Sequence, residues 1–347
     1  MHLQIIHNAR IFSPSAARGS CHAATIVETA AGHLVAAWFG GTHEGHPDVA
    51  IWLARHDGSG WSEPVKLLDE PGVPLWNPVL FRDGADTLWL FYKAGPTVPA
   101  WSGLFVRSAD GGVTWSEPVL LPAGLLGPAK NKPITLSNGD ILCGTSSETW
   151  QNWASWVEVS GDGGRSWTKH GPITVDGVRD GHARSDQVSA VWDTATKTLL
   201  LPQEHPGVIQ PTLWETAPGR VRMLLRATRR IGAVCLAESL DYGRTWSQAR
   251  PLPIPHPNSG LDAVRMSDGR VVLVCNPVLE GRTPLAVLLS ADNGESWSAP
   301  LDLVGTPGEY SYPSVIAAQD GRVHVVFTDD RQSIRHVVLA PDDSAHV

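Results

Sequence analysis

Cysteine, methionine and tyrosine are scarce in this 347-residue chain, at four, three and four residues. Cys21, Cys143, Cys235 and Cys275 stand far apart, with neither a C-x-x-C pair nor the dense, even spacing of a disulfide scaffold, so four buried thiols are the expectation. Long apolar runs are missing too: nothing approaches the roughly 18 residues of a membrane span. The opening Met-His-Leu-Gln-Ile-Ile-His has no charged stretch leading into an apolar one, and a cytoplasmic chain is expected. Basic clusters are absent and the net charge is −8, which argues against a nucleic-acid footprint or a polybasic membrane patch and leaves small neutral or anionic ligands open. Convincing amphipathic helices are the last absence. With 42% apolar and 18% charged residues, the chain has material for a sizeable core and too little charge to stay disordered. Its size suits two average domains or one large all-β or barrel domain.

What abounds is tryptophan, 15 of the 25 aromatic residues, with 34 glycines and 27 prolines. An octet Ser-x-Asp-x-Gly-x-(Ser/Thr)-Trp recurs at 108–115, 160–167, 239–246 and 290–297, and a degenerate fifth copy ends at Trp61. The five tryptophans fall 54, 52, 79 and 51 residues apart. Each octet suits a hairpin turn: Asp accepts bonds from nearby backbone N–H groups, Gly supplies positive φ, and the Trp ring is buried as the next strand begins. Alternating or β-branched runs precede the turns, as at 49–53, 103–107 and 233–238, and another strand pair stands earlier in each unit. Four short strands per roughly 50 residues, repeated, are the arithmetic of a β-propeller blade. Five octets mark five blades. Residues 314–316, 323–328 and 334–339 supply three strands of a sixth, and residues 3–12 its fourth, which closes the ring and removes exposed edges. The predicted fold is an all-β, six-bladed propeller formed as one domain by residues 1–347, with seven blades the competing count. The long spacing leaves an insertion at about 175–207, with an extra hairpin within 186–205 assigned to the fourth blade.

Several stretches beyond the octets carry a resemblance: Trp38-Phe39-Gly40-Gly41-Thr42, Val208-Ile209-Gln210-Pro211-Thr212, Asn258-Ser259-Gly260-Leu261-Asp262, Gly281-Arg282-Thr283-Pro284-Leu285 and Glu309-Tyr310-Ser311-Tyr312-Pro313. With the octets they resemble the Asp-box, or BNR-repeat, sialidase superfamily, in its sialidase-like branch of predicted neuraminidases. The resemblance implies octet turns on the periphery and a site at the propeller's mouth. There three arginines hold a carboxylate, a tyrosine paired with a glutamate is the nucleophile, and an aspartate is the acid/base. A neutral tyrosine suits a sugar whose anomeric carbon already bears a carboxylate, because an anionic nucleophile would be repelled.

Carried over residue by residue, the nucleophile's motif falls best on Tyr312, with Tyr310 the near alternative and a half-buried strand tyrosine the bland one. The arginine before the last octet falls on Arg282. The middle arginine lies among Arg226, Arg229 and Arg230, and Arg226 is favoured because it ends the run 221–225. Two positions depart from the family. The first-blade motif Arg-Ile-Pro is Cys21-His22-Ala23 here, which removes one carboxylate-binding arginine, and the glutamate partner of the tyrosine is Gln210. An amide cannot take a proton as a carboxylate does, so Glu204 or Glu309 substitutes or the mechanism differs.

The loop 41–48 concentrates titratable groups where the family keeps its acid/base: Glu44 matches the family's offset better, whereas Asp48 shares its residue type or merely begins a strand. His22 titrates near neutrality and is an acid/base or sugar-binding candidate, or a satisfied core histidine. Lys130 and Lys132 are candidates to recover lost anion affinity, or a solvated turn. Asn258, Asp262 and Asp186 are further polar candidates, or caps of local N–H groups. His43, Glu44 and His46 lack the helical pairing of a zinc protease, so no metal is expected, nor any cofactor.

The expected function is an exo-acting, sialidase-like glycoside hydrolase releasing a terminal sugar, acidic ones included, from soluble oligosaccharides. Glu44 or Asp48 is the acid, Tyr312 the nucleophile or oxocarbenium stabiliser, and Arg226 and Arg282 orient an anionic group. Two alternatives stand beside it: a lyase acting next to a uronate with His22 or Tyr312 as base, and a non-catalytic sugar-binding propeller with Trp76, Trp101 or Trp150 as a stacking platform.

Overall fold

Short strands closed by the octet turns assemble into six four-stranded antiparallel sheets. The computed structural model describes residues 2–14, 19–149, 152–175, 191–193, 198–200 and 206–342. The blades comprise residues 20–68, 75–120, 134–173, 208–255, 262–304, and 310–342 with 2–10. In the sixth blade the outermost strand, His2–Arg10, pairs antiparallel with Ser333–Asp342, so the two ends of the chain share one sheet. The pair Val191–Asp193 and Thr198–Leu200 forms a separate two-stranded ladder; Asp186, Glu204 and the rest of the proposed insertion hairpin lie outside the described residues, as does Trp150. A short 3-10 turn, Val98–Ala100, is the one helical element among the described residues, and no helix there is long and apolar enough to cross a membrane.

The octets explain the spacing. Asp110 accepts from the N–H groups of Val113 and Thr114 and from the hydroxyls of Ser108 and Thr114, while Ser108 Oγ accepts the Gly112 N–H. Asp162, Asp241 and Asp292 repeat the set. The glycine at the fifth position serves a second purpose. A Cβ on Gly164 would stand 2.4 Å from the Trp89 ring of the preceding blade, so each turn presses onto its neighbour as well as closing its own hairpin. The octet tryptophans are half-buried, not fully enclosed, because each lies at the rim of that contact. Six hydrophobic clusters fill the structure, one between each pair of neighbouring blades, and the sixth joins the last blade to the first through Ile11, Phe12, Trp38, Ile316 and Ile334. All four cysteines are buried free thiols.

At the same closing interface, Trp61 Nε1 donates to His336 Nδ1 at 3.2 Å, which puts the His336 proton on Nε2, 3.0 Å from His324 Nδ1. Protonating either acceptor breaks the chain of bonds. Burial, then repulsion from His324, His7 and His56, pushes His336 down to about 3, and burial with repulsion from Arg322, His56 and His7, opposed by Asp320, takes His324 to about 4. Both lie below the ordinary 6.5, so the unfolded chain takes up protons first and stability falls as the pH drops from 6.5 towards 4. Urea midpoints measured between pH 7 and pH 4.5 are expected to fall in that window, and His336→Gln should flatten the slope.

Candidate functional site

Four of the six innermost strands share one irregularity. Their register slips between His22 and Thr25, Trp76 and Val79, Ile209 and Thr212, and Ser311 and Ser314. At each slip a non-glycine residue takes positive φ: Ala23, Asn77, Gln210 and Tyr312. In the last three a proline follows, which cannot donate to the ladder and so suits a bulge. Such bulges re-aim one side chain per strand, and in the sixth blade that side chain is Tyr312.

The Tyr312 ring lies 4.2 Å from that of His22, with the guanidinium carbons of Arg226 and Arg282 each 5.7 Å from its centre. Space for it exists because residue 260 is glycine; a Cβ there would stand 3.0 Å from Tyr312 Cγ. Arg226, 8% exposed, comes from the second strand of the fourth blade. Its Nε donates to Asn258 Oδ1 at 2.7 Å, and its Nη1 donates to Gln210 Oε1 at 3.1 Å and to Tyr312 Oη at 2.6 Å. Arg282 donates through Nη1 to Glu309 Oε1 at 2.7 Å and to Ser311 Oγ at 3.1 Å.

A third guanidinium arrives from an unexpected place. Asp330 and Arg331 form the tip of the last hairpin, both with positive φ, the conformation a two-residue turn demands. The Cys21 N–H donates to the Arg331 carbonyl, which brings this tip over the first blade. Arg331 donates through Nη1 to Glu44 at 2.7 Å and through Nε to both Glu309 oxygens at 3.1 and 3.3 Å, and its Nη2 stands 3.5 Å from His22 Nε2. An arginine only donates, so His22 Nε2 accepts and its Nδ1–H donates to Thr328 Oγ1 at 2.9 Å. Burial first, then Arg331, Arg282, Arg226 and Lys130, hold His22 neutral well below the usual histidine range.

Around this cluster lie two more carboxyl groups. Asp48 accepts from the Thr42 N–H and hydroxyl and bonds His46, which holds it ionised, down at about 2. Glu148 accepts from Ser146 Oγ at 3.0 Å, and burial raises its proton affinity. It stands opposite Trp153 across the third blade, and the Arg226 guanidinium lies 5.6 Å from the Trp153 ring.

Residues 32–325 match the family model described as a BNR repeat-like domain. The chain belongs to that family. Among solved structures, this BNR repeat-like chain is similar to a protein of unknown function from Dyadobacter fermentans, at 18% identity and a TM-score of 0.77, with 98% of this chain and 99% of that one covered. It is also similar to the Hadza microbial sialidase Hz136, at 16% identity and 0.75, covering 95% and 68%. A third similar structure is the intramolecular trans-sialidase from Ruminococcus gnavus, at 13% and 0.69, covering 98% of both chains. These likenesses show a shared sialidase-like propeller fold. No curated protein sequence matches.

Of the residues singled out from sequence, this BNR repeat-like propeller gathers Tyr312, Arg226, Arg282, Gln210, Asn258, Glu44 and His22 at one end of the ring. Others fall elsewhere. Tyr310 turns into the core against Phe327, with its hydroxyl on Thr306. Asp48 clasps the loop 42–48 onto itself, with its oxygens bonded to the Thr42 N–H, the Thr42 hydroxyl and His46. Lys130 and Lys132 are not free cations for a ligand. Lys130 is buried on the carbonyls of Leu261 and Pro313 and on Asn131 Oδ1, and burial lowers it to about 7. Lys132 pairs at 2.9 Å with Asp262, which is wholly buried and also accepts from Thr212 Oγ1 and the Val315 N–H. Together they pin blades three to six across the axis. Glu309 serves the arginines and not Tyr312. Arg331 was missed. Its signal was an arginine in the hairpin between the runs 323–328 and 334–339, at the end where blade loops form the mouth.

Proposed function

We propose that the protein is an exo-acting, sialidase-like glycoside hydrolase that releases a terminal sugar bearing a carboxylate from a soluble oligosaccharide. The observation that carries this reading is the meeting of three guanidinium groups, from blades four, five and six, around the bulged side chain of Tyr312 and the neighbouring His22 ring. Planar guanidinium groups match a carboxylate geometrically, and their field favours an anion. Glu44 protonates the leaving oxygen as the glycosidic bond breaks, and water then bonds the anomeric carbon and returns a proton to the Glu44 carboxylate. Tyr312 faces that carbon as a stabiliser of the oxocarbenium-like transition state. Two facts favour this over direct nucleophilic attack: Gln210 takes no proton, and the group bonded to Tyr312 Oη is Arg226, a donor. His22, with both ring nitrogens engaged, supports neither the acid/base role nor the lyase reading.

Chromogenic glycosides of sialic acid, its deaminated analogue and uronic acids, assayed with wild type and Tyr312→Phe, test the reading. Turnover of at least one acidic glycoside is expected, falling by about 10²-fold in the variant. Saccharide binding without turnover would leave the sugar-binding alternative, and a product absorbing in the near ultraviolet would leave the lyase.

A further inference from the structure

We propose that Glu44 makes the site selective for carboxylates: in the free protein it occupies Arg331 as an internal stand-in for the ligand's carboxylate, and an incoming anion is what releases it. The catalytic consequence rests on the hydrolase reading, whereas the binding consequence does not.

The two carboxylates on Arg331 are held differently. Glu309 is built in: it bonds Arg282 and Arg331 together, and its own N–H donates to Asp330 Oδ1 at 2.7 Å. Glu44 comes from the loop 42–48, its side chain is 40% exposed, and its carboxylate has no second hydrogen-bond partner among the described residues. The loop is clasped at its base by Asp48 with Thr42 and His46 and is turned by the His46 N–H on the His43 carbonyl, so the Arg331 bond fixes where the Glu44 side chain lies and not the course of the loop. Charge favours exchange at the same point. Arg226, Arg282 and Arg331 donate to two carboxylates, Glu44 and Glu309; of the other groups nearby, burial favours the neutral form of Glu148, Asp48 is spent on Thr42 and His46, His22 is neutral and Lys132 is spent on Asp262. One further carboxylate entering beside Glu44 would crowd like charges onto one guanidinium, and departure of the exposed one relieves it.

Exchange then couples ligand charge to chemistry. Held on Arg331, the Glu44 carboxylate is engaged with a guanidinium; released from it, the exposed side chain can turn to the leaving oxygen. A neutral sugar leaves Glu44 on Arg331 and so leaves the leaving oxygen without its acid. An acidic sugar takes Arg331 and frees the acid in one event.

Calorimetric titration of wild type, Glu44→Gln, Glu44→Gln with Arg331→Gln, and the rim control Glu117→Gln tests this without any turnover. The probes are N-acetylneuraminate, glucuronate and neutral N-acetylglucosamine. Glu44→Gln is expected to bind whichever carboxylate binds wild type about ten-fold more tightly, with the neutral probe unchanged. The gain should vanish in the double variant and be absent in the control. Equal or weaker carboxylate binding by Glu44→Gln would overturn the inference, as would no carboxylate binding by any of the four proteins. Tighter binding without hydrolysis by wild type would uphold the competition and remove the hydrolase reading alone.

Discussion

Replacing Arg226 with alanine is expected to lower kcat/KM for an acidic glycoside by about 10³-fold, the largest loss of any single change at the mouth. This guanidinium is the most buried of the three, and its Nε and Nη1 are committed to Asn258, Gln210 and Tyr312. Truncation therefore removes a ligand-facing charge and also strands three polar groups in a desolvated place, a combination that costs more than a lost surface contact. Arg226→Lys keeps the charge without the planar fork and should recover only part of the loss. Steady-state kinetics separate the outcomes. A rise in KM with kcat unchanged would mean that Arg226 binds substrate and transition state equally, and that its bond to Tyr312 Oη contributes nothing to the chemical step.

Gly144→Ala should destabilise the fold by about 1–3 kcal/mol and impair the same site from behind. Gly144 lies on the second strand of the third blade, and a Cβ there would stand 2.7 Å from Pro211 Cγ and 2.8 Å from the Pro211 carbonyl oxygen. The backbone at 144 is not left-handed, so space alone decides, and the obstacle is partly main chain that cannot swing away. Pro211 directly follows Gln210 in the bulge that holds Arg226, so relief by moving it shifts the arginine. Denaturant midpoints and kcat/KM should fall together. Gly84→Ala, at a glycine with open space and ordinary φ, is the comparison expected to be neutral or slightly stabilising.

The ring was legible because its repeat is written in local chemistry. An octet that satisfies its own backbone through Asp110, Asp162, Asp241 or Asp292 needs no distant partner, so its spacing survives in the sequence as blade spacing. Tyr312, Arg226 and Arg282 were legible through family resemblance at positions where bulge and loop are also local. Arg331 was not, because its relation to His22 depends on the last hairpin leaning onto the first blade, a contact over 309 residues of chain. The resemblance places an arginine in the first blade, whereas the guanidinium that stands beside His22 comes from the last hairpin. Lys130 and Lys132 misled for a related reason. A Lys-Asn-Lys turn reads as solvated, and only the closed ring lays it across the axis against Leu261, Asp262 and Pro313.

Because His2–Arg10 pairs with Ser333–Asp342, an early-made strand waits for one made long after it before its hydrogen bonds are met. The waiting segment carries Ile5 and Ile6, side chains that remain partly open to water even after pairing. The ring thus closes by docking strand 2–10 onto strand 333–342, and until the later strand is made the earlier one stays unpaired. A circular permutant that joins residues 2 and 342 and opens the loop between two other blades would convert that late encounter into an ordinary hairpin.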